Sequence, residues 1–359
     1  MRVCILLTEG TRNSQCRSTG FSARIEKELF RQYLLAFFRR LPVVSGIFGL
    51  ISKSNELVFK GNLVEREERL PNQTLYYNLL YRDANTLNFT NPSIHEDAKV
   101  IVLVCSALSN TSIRDTIRRT WANPQLSKAV HSKTIAVVFL VGTGKITDAV
   151  WKELRTSMDV LQVDVQESYA NLVYKILAAY RWIQENHPEK FVLKMDSDIV
   201  ALLDKVEPIL GNPYNKTLQC YSHTKAKPDR EASSPWYVPL SVYPEYYLPE
   251  YCSGPLYLMS PAALSAILQV APQGEVFEVE DAFFTGLLAS KAGVRIKKSR
   301  GIWHREKLSQ PCVNNRGTVI AYPVHSASPT RLAEAWDHLR TLRCRWPVEH
   351  FVLTFLFDD

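Results

Sequence analysis

The chain has 359 residues, of which 46% are hydrophobic and 22% charged, with a formal net charge of +7 at pH 7. This length and composition allow a large buried core, and the sequence contains no repeat or low-complexity tract. The positive charge is concentrated in residues 1–40, which hold eight Lys or Arg against three Glu. The remainder is nearly neutral, which argues against a nucleic-acid partner.

The N-terminal region contains a weak candidate for a membrane anchor. A basic tail at 1–32 precedes an apolar window at 33–51. Arg39 and Arg40 lie inside this window, and each costs about 2.5 to 3.5 kcal/mol at the centre of a membrane helix. The uninterrupted part, 41–51, is too short to cross a bilayer. The basic flank still suits a signal anchor with its N-terminus in the cytosol, and an amphipathic surface segment is the alternative.

Two further features favour the secretory pathway. Four N-x-S/T sequons are present. Their asparagines are Asn72, Asn88, Asn110 and Asn215. The seven cysteines contain no C-x-x-C pair, and five follow the candidate anchor, where oxidation is allowed. These five are Cys105, Cys220, Cys252, Cys312 and Cys344. An odd number leaves at least one of them unpaired.

The chain after the anchor divides into a stem and a folded domain. Residues 52–96 are predicted to be a stem, because the stretch from Gln73 to about Glu96 is polar and has no sustained hydrophobic period. The domain is expected at 97–346, followed by a C-terminal tail at 347–359.

Within the domain, apolar runs of strand length alternate with helical patterns. The runs are 99–107, 134–142 and 191–195, and the helical patterns are 113–122, 147–158 and 167–187. Such alternation predicts an α/β fold with a mainly parallel central sheet and helices on both faces.

Two carboxylates follow the third apolar run. Asp196 and Asp198 are separated by Ser197. Ligands of open α/β sheets bind beyond the carboxyl ends of the strands, and residues i and i+2 of an extended segment point the same way. Two close carboxylates repel unless a cation joins them, and oxygen ligands favour Mg²⁺ or Mn²⁺ over zinc. The simpler alternative is a helix-capping Asp with a solvated neighbour. A divalent-metal hydrolase would also need further Asp or His ligands close by in the sequence, and no such cluster is present.

Seven motifs occur in one order between about residues 99 and 344. They are R-x-x-I-R-x-T-W (Arg114, Ile117, Arg118, Thr120, Trp121), VFLVG at 138–142, ESYANLVYK at 167–175, K-x-D-S-D at 194–198, YLPEYCSGPLYLMS at 247–260, EDAFFTG at 280–286, and His325 with Pro329 and Trp336. Together they resemble the β-1,3-galactosyltransferase family, glycosyltransferase family 31.

This resemblance implies a GT-A type fold and a single-pass type II protein of the Golgi membrane, with its catalytic domain in the lumen. It implies inverting transfer of a sugar from a UDP-sugar to the 3-hydroxyl of a glycan acceptor. The expected cofactor is Mn²⁺ or Mg²⁺, held by Asp196, Asp198 and His325, with His304 as the alternative third ligand. The donor sugar, whether Gal, GlcNAc or GalNAc, stays open.

The resemblance also suggests which residues perform the reaction. Asp281 is the expected catalytic base, and Glu280 is expected to hold acceptor hydroxyls or a structural partner. Acids at a helix start also occur simply because they interact well with the helix dipole. The donor is expected to contact Arg114, Arg118, Lys175, Lys194, Ser197 and Gly254. For the two arginines, four apart on one helical face, a surface salt bridge is the alternative.

The family pattern also bears on the cysteines and on catalytic competence. It pairs Cys312 with Cys344, which would hold the His325 segment in place, while Cys220 with Cys252 is a second expectation. The chain departs from the family at Glu167 and Ser197, where Asp is usual, and at Pro255, where Gly is usual. These departures leave a catalytically inactive sugar-binding relative as an alternative.

Overall fold

The computed structural model describes residues 70–303, 312–313 and 317–344. The predicted N-terminal tail, the candidate anchor and the C-terminal tail lie outside these residues, as does His304. Within the described ranges, no helix combines the length and apolar character needed to cross a membrane.

A seven-stranded sheet in the order β3-β2-β1-β4-β7-β6-β8 forms the centre of the domain. Its strands are β1 (Val100–Cys105), β2 (Ile135–Thr143), β3 (Val160–Gln166), β4 (Phe191–Asp196), β6 (Thr217–His223), β7 (Tyr251–Met259) and β8 (Arg295–Lys298). Six of the seven run in one direction and β7 runs in the other. The expected mainly parallel sheet is therefore confirmed.

Helices cover both faces of this sheet. They are α1 (Gln73–Tyr81), α2 (Thr111–Arg119), α3 (Lys128–His131), α4 (Asp148–Thr156), α5 (Leu172–Asn186), α6 (Pro261–Val270) and α7 (Pro329–Thr341). Side chains alternate along β1, so Ile101 and Leu103 face a core that includes α5 and α6, while Val102 and Val104 face a second core that includes α2 and α7. Burial on both faces explains why β1 is apolar throughout.

Four short strands lie outside the main sheet. They are β5 (Ile199–Ala201), β9 (Cys312–Val313), β10 (Gly317–Thr318) and β11 (Ala321–Pro323). The pairs β5–β11 and β9–β10 are antiparallel. The first pair matters most for function, because it fixes the C-terminal part of the chain beside the residues that follow β4.

The predicted start of the domain at residue 97 is too late. Helix α1 begins where the Leu75 N–H donates to the Asn72 side chain (2.8 Å), a normal N-cap. Tyr76 and Leu79 are buried in the core, and the Tyr76 hydroxyl donates to the Ala271 carbonyl (2.9 Å). The sequence predicts a stem here because so few side chains of this segment are buried that no hydrophobic period stands out.

Both expected disulfides are present. Cys220–Cys252 joins β6 to β7, and Cys312–Cys344 joins β9 to the residues after α7, with Cα–Cα distances of 5.6 and 5.8 Å. Among the described cysteines, Cys105 alone is free, and it is buried at the end of β1.

Candidate active site

The two carboxylates of the D-S-D motif lie at the carboxyl end of β4, as expected from the sequence. In the parallel pairing of β1 with β4, Cys105 stands opposite Asp196. The Ser197 N–H donates to the Cys105 carbonyl (3.0 Å), which fixes the turn between the two carboxylates. The motif therefore begins at the end of a strand that is buried up to Met195 and paired with the fully buried β1, which leaves its backbone little freedom.

The two carboxylates have different surroundings. Asp196 accepts a hydrogen bond from Lys194 Nζ (2.9 Å). Asp198 Oδ1 is buried and has no hydrogen-bond partner among the described residues. Burial, together with the charge of Asp196, raises the pKa of Asp198 to about 6. A buried carboxylate oxygen without a partner is costly unless a proton or cation satisfies it, so this position fits a divalent metal ion.

His325 lies near the carboxylates but does not complete a ready metal site. The pairing of β11 with β5 lets the Val324 N–H donate to the Asp198 carbonyl (2.8 Å), and His325 is the next residue. The electrostatic effect of His325 partly offsets the rise in the pKa of Asp198. Still, no three His, Cys, Asp or Glu side chains are grouped to hold a metal within the described part of the chain. The role of His325 as a metal ligand stays a prediction.

Two pockets meet at Asp196. The first, here the D-S-D pocket, has a volume of about 400 Å³. Its walls are Cys105, Asn110, Ile113, Asp196, Ser197, Asp198, Ser326 and Ala327. The second, here the aromatic cavity, has a volume of about 550 Å³, and Asp196 and Asp281 both line it. Asp196 thus separates a space beside the paired carboxylates from a space beside the expected base.

Exposed aromatic side chains line the aromatic cavity. Trp236 is 57% exposed and donates through its indole N–H to the Tyr169 hydroxyl (3.1 Å). Tyr251 and His223 line the same cavity. The sequence alone does not reveal this group, because Tyr169 and Trp236 are 67 residues apart and only the fold brings them together. The sequence shows only two aromatic residues in polar segments, which by itself is weak evidence for a ligand-binding surface.

Lys194 is the centre of a buried charged network. It is completely buried and donates to Asp196, to the Gly254 carbonyl (2.7 Å) and to Glu280 Oε1 (2.7 Å). Burial lowers the pKa of Lys194, but the carboxylates of Asp196 and Glu280 more than reverse this effect and raise it. All three ammonium protons bind protein atoms, so the predicted donor contact of Lys194 is not supported.

Glu280 is held on both of its oxygens. Oε1 accepts from Lys194, and Oε2 accepts from the Tyr257 hydroxyl (3.2 Å), which in turn contacts the Tyr180 hydroxyl (2.6 Å). Burial raises the pKa of Glu280 to about 7 despite the opposing effect of Lys194. Its environment is that of a structural partner, one of the two roles expected for it.

Asp281 is more open to the aromatic cavity than Glu280. It precedes a π-helix, Ala282–Leu288, and its carboxylate accepts the Ala282 N–H (2.7 Å). Burial raises the pKa of Asp281 above its usual value. Gly254 of β7 lies beside this carboxylate. A Cβ at Gly254 would come within 3.0 Å of Asp281 Oδ2. The glycine therefore makes room for Asp281, and its predicted contact with the donor stays untested.

Arg114 does not face either pocket. It is buried, and its five N–H groups donate to Glu153, to the Ser106 hydroxyl and to the carbonyls of Ala107 and Leu108. The predicted contact with the diphosphate is therefore wrong for Arg114. Arg114 holds the loop after β1 in position, and its ion pair with Glu153 is buried rather than on the surface.

Arg118 and Lys175 are also engaged inside the protein. Arg118 donates to Glu153 (2.7 Å) and, through two nitrogens, to Asp159 (both 2.8 Å). Lys175 donates to the Ser106 carbonyl (3.1 Å) and to both oxygens of Glu167 (3.2 and 3.0 Å). Their expected contacts with the donor are not supported. The i, i+4 spacing of the arginines defined a helix face correctly but did not reveal that acidic side chains of the protein cover it.

The four sequon asparagines lie at different depths. Asn72, Asn110 and Asn215 are exposed, whereas Asn88 is half-buried and its backbone bridges to Val163 of β3. The exposed sites can accommodate a glycan without disturbing the core. Glycosylation at each of the four sites stays a prediction.

Comparison with known proteins identifies the family. The pattern of the galactosyltransferase family matches residues 112–300, which include the D-S-D motif, Gly254, Glu280 and Asp281. The chain belongs to the galactosyltransferase family. It is therefore a glycosyltransferase.

The relatives of this galactosyltransferase-family protein are named for the transfer of different sugars. The chain is 28% identical to mouse beta-1,3-galactosyltransferase 1, over 68% of its own length and 76% of that protein. It is 26% identical to lactosylceramide 1,3-N-acetyl-beta-D-glucosaminyltransferase A of Xenopus laevis, over 64% of each chain. Among solved structures, galactosyltransferase LgtC is similar at a TM-score of 0.35 and 10% identity, over 67% of this chain and 97% of LgtC.

Proposed function

We propose that this protein is a metal-dependent, inverting β-1,3-glycosyltransferase. It transfers a hexose or N-acetylhexosamine from a UDP-sugar to the 3-hydroxyl of a sugar acceptor. The observation that carries the proposal is the position of Asp196 between the two pockets. Asp198, whose Oδ1 has no hydrogen-bond partner among the described residues, lines the D-S-D pocket, and Asp281 lines the aromatic cavity.

The D-S-D pocket is the donor side. Asp196 and Asp198, with His325 close by, would hold Mn²⁺ or Mg²⁺. When bound, the ion supplies positive charge that stabilises the departing diphosphate. Lys194 orients Asp196 through the 2.9 Å hydrogen bond, so one carboxylate oxygen is already fixed before the donor arrives.

The aromatic cavity is the acceptor side. Asp281 accepts the proton of the acceptor 3-hydroxyl while that oxygen attacks the anomeric carbon from the face opposite the diphosphate, which inverts the configuration. Its raised pKa makes it a stronger base than an ordinary carboxylate. Glu280 cannot readily do this work, because Lys194 and Tyr257 occupy its two oxygens.

The departures from the family pattern are compatible with activity. Glu167 accepts the Gly142 N–H (2.6 Å) and pairs with Lys175, so it has a complete structural role. Ser197 keeps the backbone hydrogen bond that shapes the turn between the carboxylates. Pro255 lies in β7 on the cavity wall, away from the D-S-D pocket. These observations favour an active enzyme over an inactive sugar-binding relative.

The compartment proposed is the Golgi membrane, with the domain in the lumen and residues 33–51 as the anchor. Two disulfides in the domain agree with an oxidising compartment. The acceptor is a glycan of a protein or lipid. The names of the relatives include galactosyl and N-acetylglucosaminyl transfer, and the donor is one of these or N-acetylgalactosamine.

A donor panel tests the proposed function. We expect the purified protein with Mn²⁺ to release UDP from one UDP-sugar in the presence of a glycan acceptor, and to stop when EDTA removes the metal. Asp198→Ala should lose both donor binding and turnover, because it removes a metal ligand, and excess Mn²⁺ should restore little. UDP binding without release from any donor would support the inactive relative instead.

The acceptor side makes a separate prediction. Trp236→Ala should raise the acceptor KM by about fivefold and leave the donor KM unchanged, because stacking on an aromatic ring contributes about 1 kcal/mol. Trp151→Ala is the matched control, since Trp151 is equally exposed (55%) but lies on α4, outside the aromatic cavity. A change in donor KM, or an equal effect at Trp151, would contradict the assignment of this cavity to the acceptor.

A further inference from the structure

One of the four sequons begins at the wall of the donor side. Asn110 lines the D-S-D pocket together with Asp196, Ser197 and Asp198. Asn72, Asn88 and Asn215 line neither of the two pockets. A glycan at Asn110 would therefore start at the wall of the pocket that the proposed function assigns to the donor.

The backbone at Asn110 has little freedom to move away. The Ser197 N–H bonds the Cys105 carbonyl, and the Asn110 N–H bonds the Ala107 carbonyl (3.0 Å), so the loop is tied to β4 and closed on itself. Arg114 adds hydrogen bonds to three residues of this loop, Ser106 to Leu108, from a fully buried position. The attachment point of a glycan would thus keep its place relative to the carboxylates.

The Asn110 side chain itself is available. It precedes α2 at the N-cap position but makes no capping hydrogen bond with the described backbone, and the residue is exposed. Ser112, which completes the sequon, is also exposed on the first turn of the helix. Neither the Asn110 nor the Ser112 side chain makes a hydrogen bond with the described residues.

We propose that N-glycosylation at Asn110 and donor binding are mutually exclusive, so that occupancy of this sequon sets the fraction of active enzyme. The proposal rests on the proposed function, which assigns the D-S-D pocket to the donor. In the modification, Asn110 Nδ2 bonds to the anomeric carbon of a lipid-diphosphate oligosaccharide. The lipid diphosphate leaves with the electron pair of the broken bond, and Nδ2 loses one proton.

The steric argument is simple. The D-S-D pocket has a volume of about 400 Å³, at the small end of the range for ligand sites. An N-glycan is bulky and several sugars long. Its first sugars would compete with a nucleotide sugar for the space beside this wall. Because the glycan is added during synthesis and is not removed by donor, the blocked molecules stay inactive.

Fractionation on immobilised UDP tests this inference. The protein is expressed in secretory cells, applied to UDP resin with Mn²⁺, and the bound and unbound fractions are compared by mass spectrometry of their glycopeptides. We expect the Asn110 glycoform only in the unbound fraction. Glycoforms at Asn72 and Asn215 should divide evenly and serve as internal controls. Equal Asn110 occupancy in both fractions would overturn the proposal.

Two substitutions at the exposed Ser112 change the sequon without altering Asn110. Ser112→Ala removes it and should bring the bound fraction close to 100% of the folded protein. Ser112→Thr makes a better sequon and should lower the bound fraction in proportion to the rise in occupancy. Absence of any Asn110 glycoform in both the wild type and Ser112→Thr would overturn the regulatory role. If Ser112→Ala itself does not bind UDP, the proposed function fails, which is a distinct result.

Discussion

Asp281→Asn is expected to lower the rate of sugar transfer by about 10²- to 10⁴-fold while UDP-sugar binding stays near that of the wild type. Asparagine keeps the size of the side chain but cannot accept the acceptor proton. The proposed metal ligands Asp196 and Asp198 are left unchanged. The measurement is turnover with saturating donor and acceptor, together with donor affinity determined separately by calorimetry.

The matched control for this prediction is Glu280→Gln. Glu280 adjoins Asp281 but is bonded to Lys194 and Tyr257, so its loss should affect stability more than the chemical step. If Asp281→Asn transfers sugar normally and Glu280→Gln does not, the assignment of the base is off by one residue. If both variants keep normal transfer, the base lies elsewhere.

The pH profile gives a second readout on Asp281. The base works only when ionised, and burial raises the pKa of Asp281 above its usual value. In the wild type, kcat/KM should therefore decline on the acidic side at a higher pH than an ordinary aspartate would give. In Asp281→Asn this acidic limb should disappear from the residual activity. An unchanged limb would assign it to another group.

The sequence predicted the parts of this structure that depend on local pattern. The fully apolar β1, the apolar start of β4 (Phe191–Leu193) and the helical spacing of α5 identify a parallel α/β sheet, because strands buried on both faces have no polar alternation. The position of Asp196 and Asp198 then follows from the end of β4. The Cys312–Cys344 bridge could be assigned only from the family pattern, since spacing alone leaves several pairings open.

The errors arose where function depends on which partner a side chain finds. The sequence showed that Arg114 and Arg118 share a face of α2. The acids that neutralise them, Glu153 on α4 and Asp159 after it, lie more than 30 residues away in the sequence. A cationic pair therefore looked available for a diphosphate when it was already paired. The same limit hid the contact of Tyr169 with Trp236, which only the tertiary fold creates.

The second large effect is expected for stability rather than catalysis. Lys194→Met should destabilise the protein by about 3 to 5 kcal/mol, because it leaves the carboxylate of Glu280 buried without its cation. For a domain of this size, that loss corresponds to a fall in Tm on the order of 10 °C. The double variant Lys194→Met/Glu280→Gln is the control. It removes the charge as well as the cation, and it should recover most of the lost stability.

The dependence on pH separates this explanation from a simple loss of packing. Burial raises the pKa of Glu280 to about 7, above its unfolded value, so ionisation of this group makes the folded state less stable as pH rises between the two values. Without Lys194 the pKa of Glu280 should rise further, and the penalty should grow towards alkaline pH. We therefore expect the difference in Tm between the wild type and Lys194→Met to be larger at pH 8 than at pH 5. In the double variant this pH dependence should vanish. An equal difference at both pH values would mean that the methionine merely packs badly, and that Lys194 does not neutralise the buried acid.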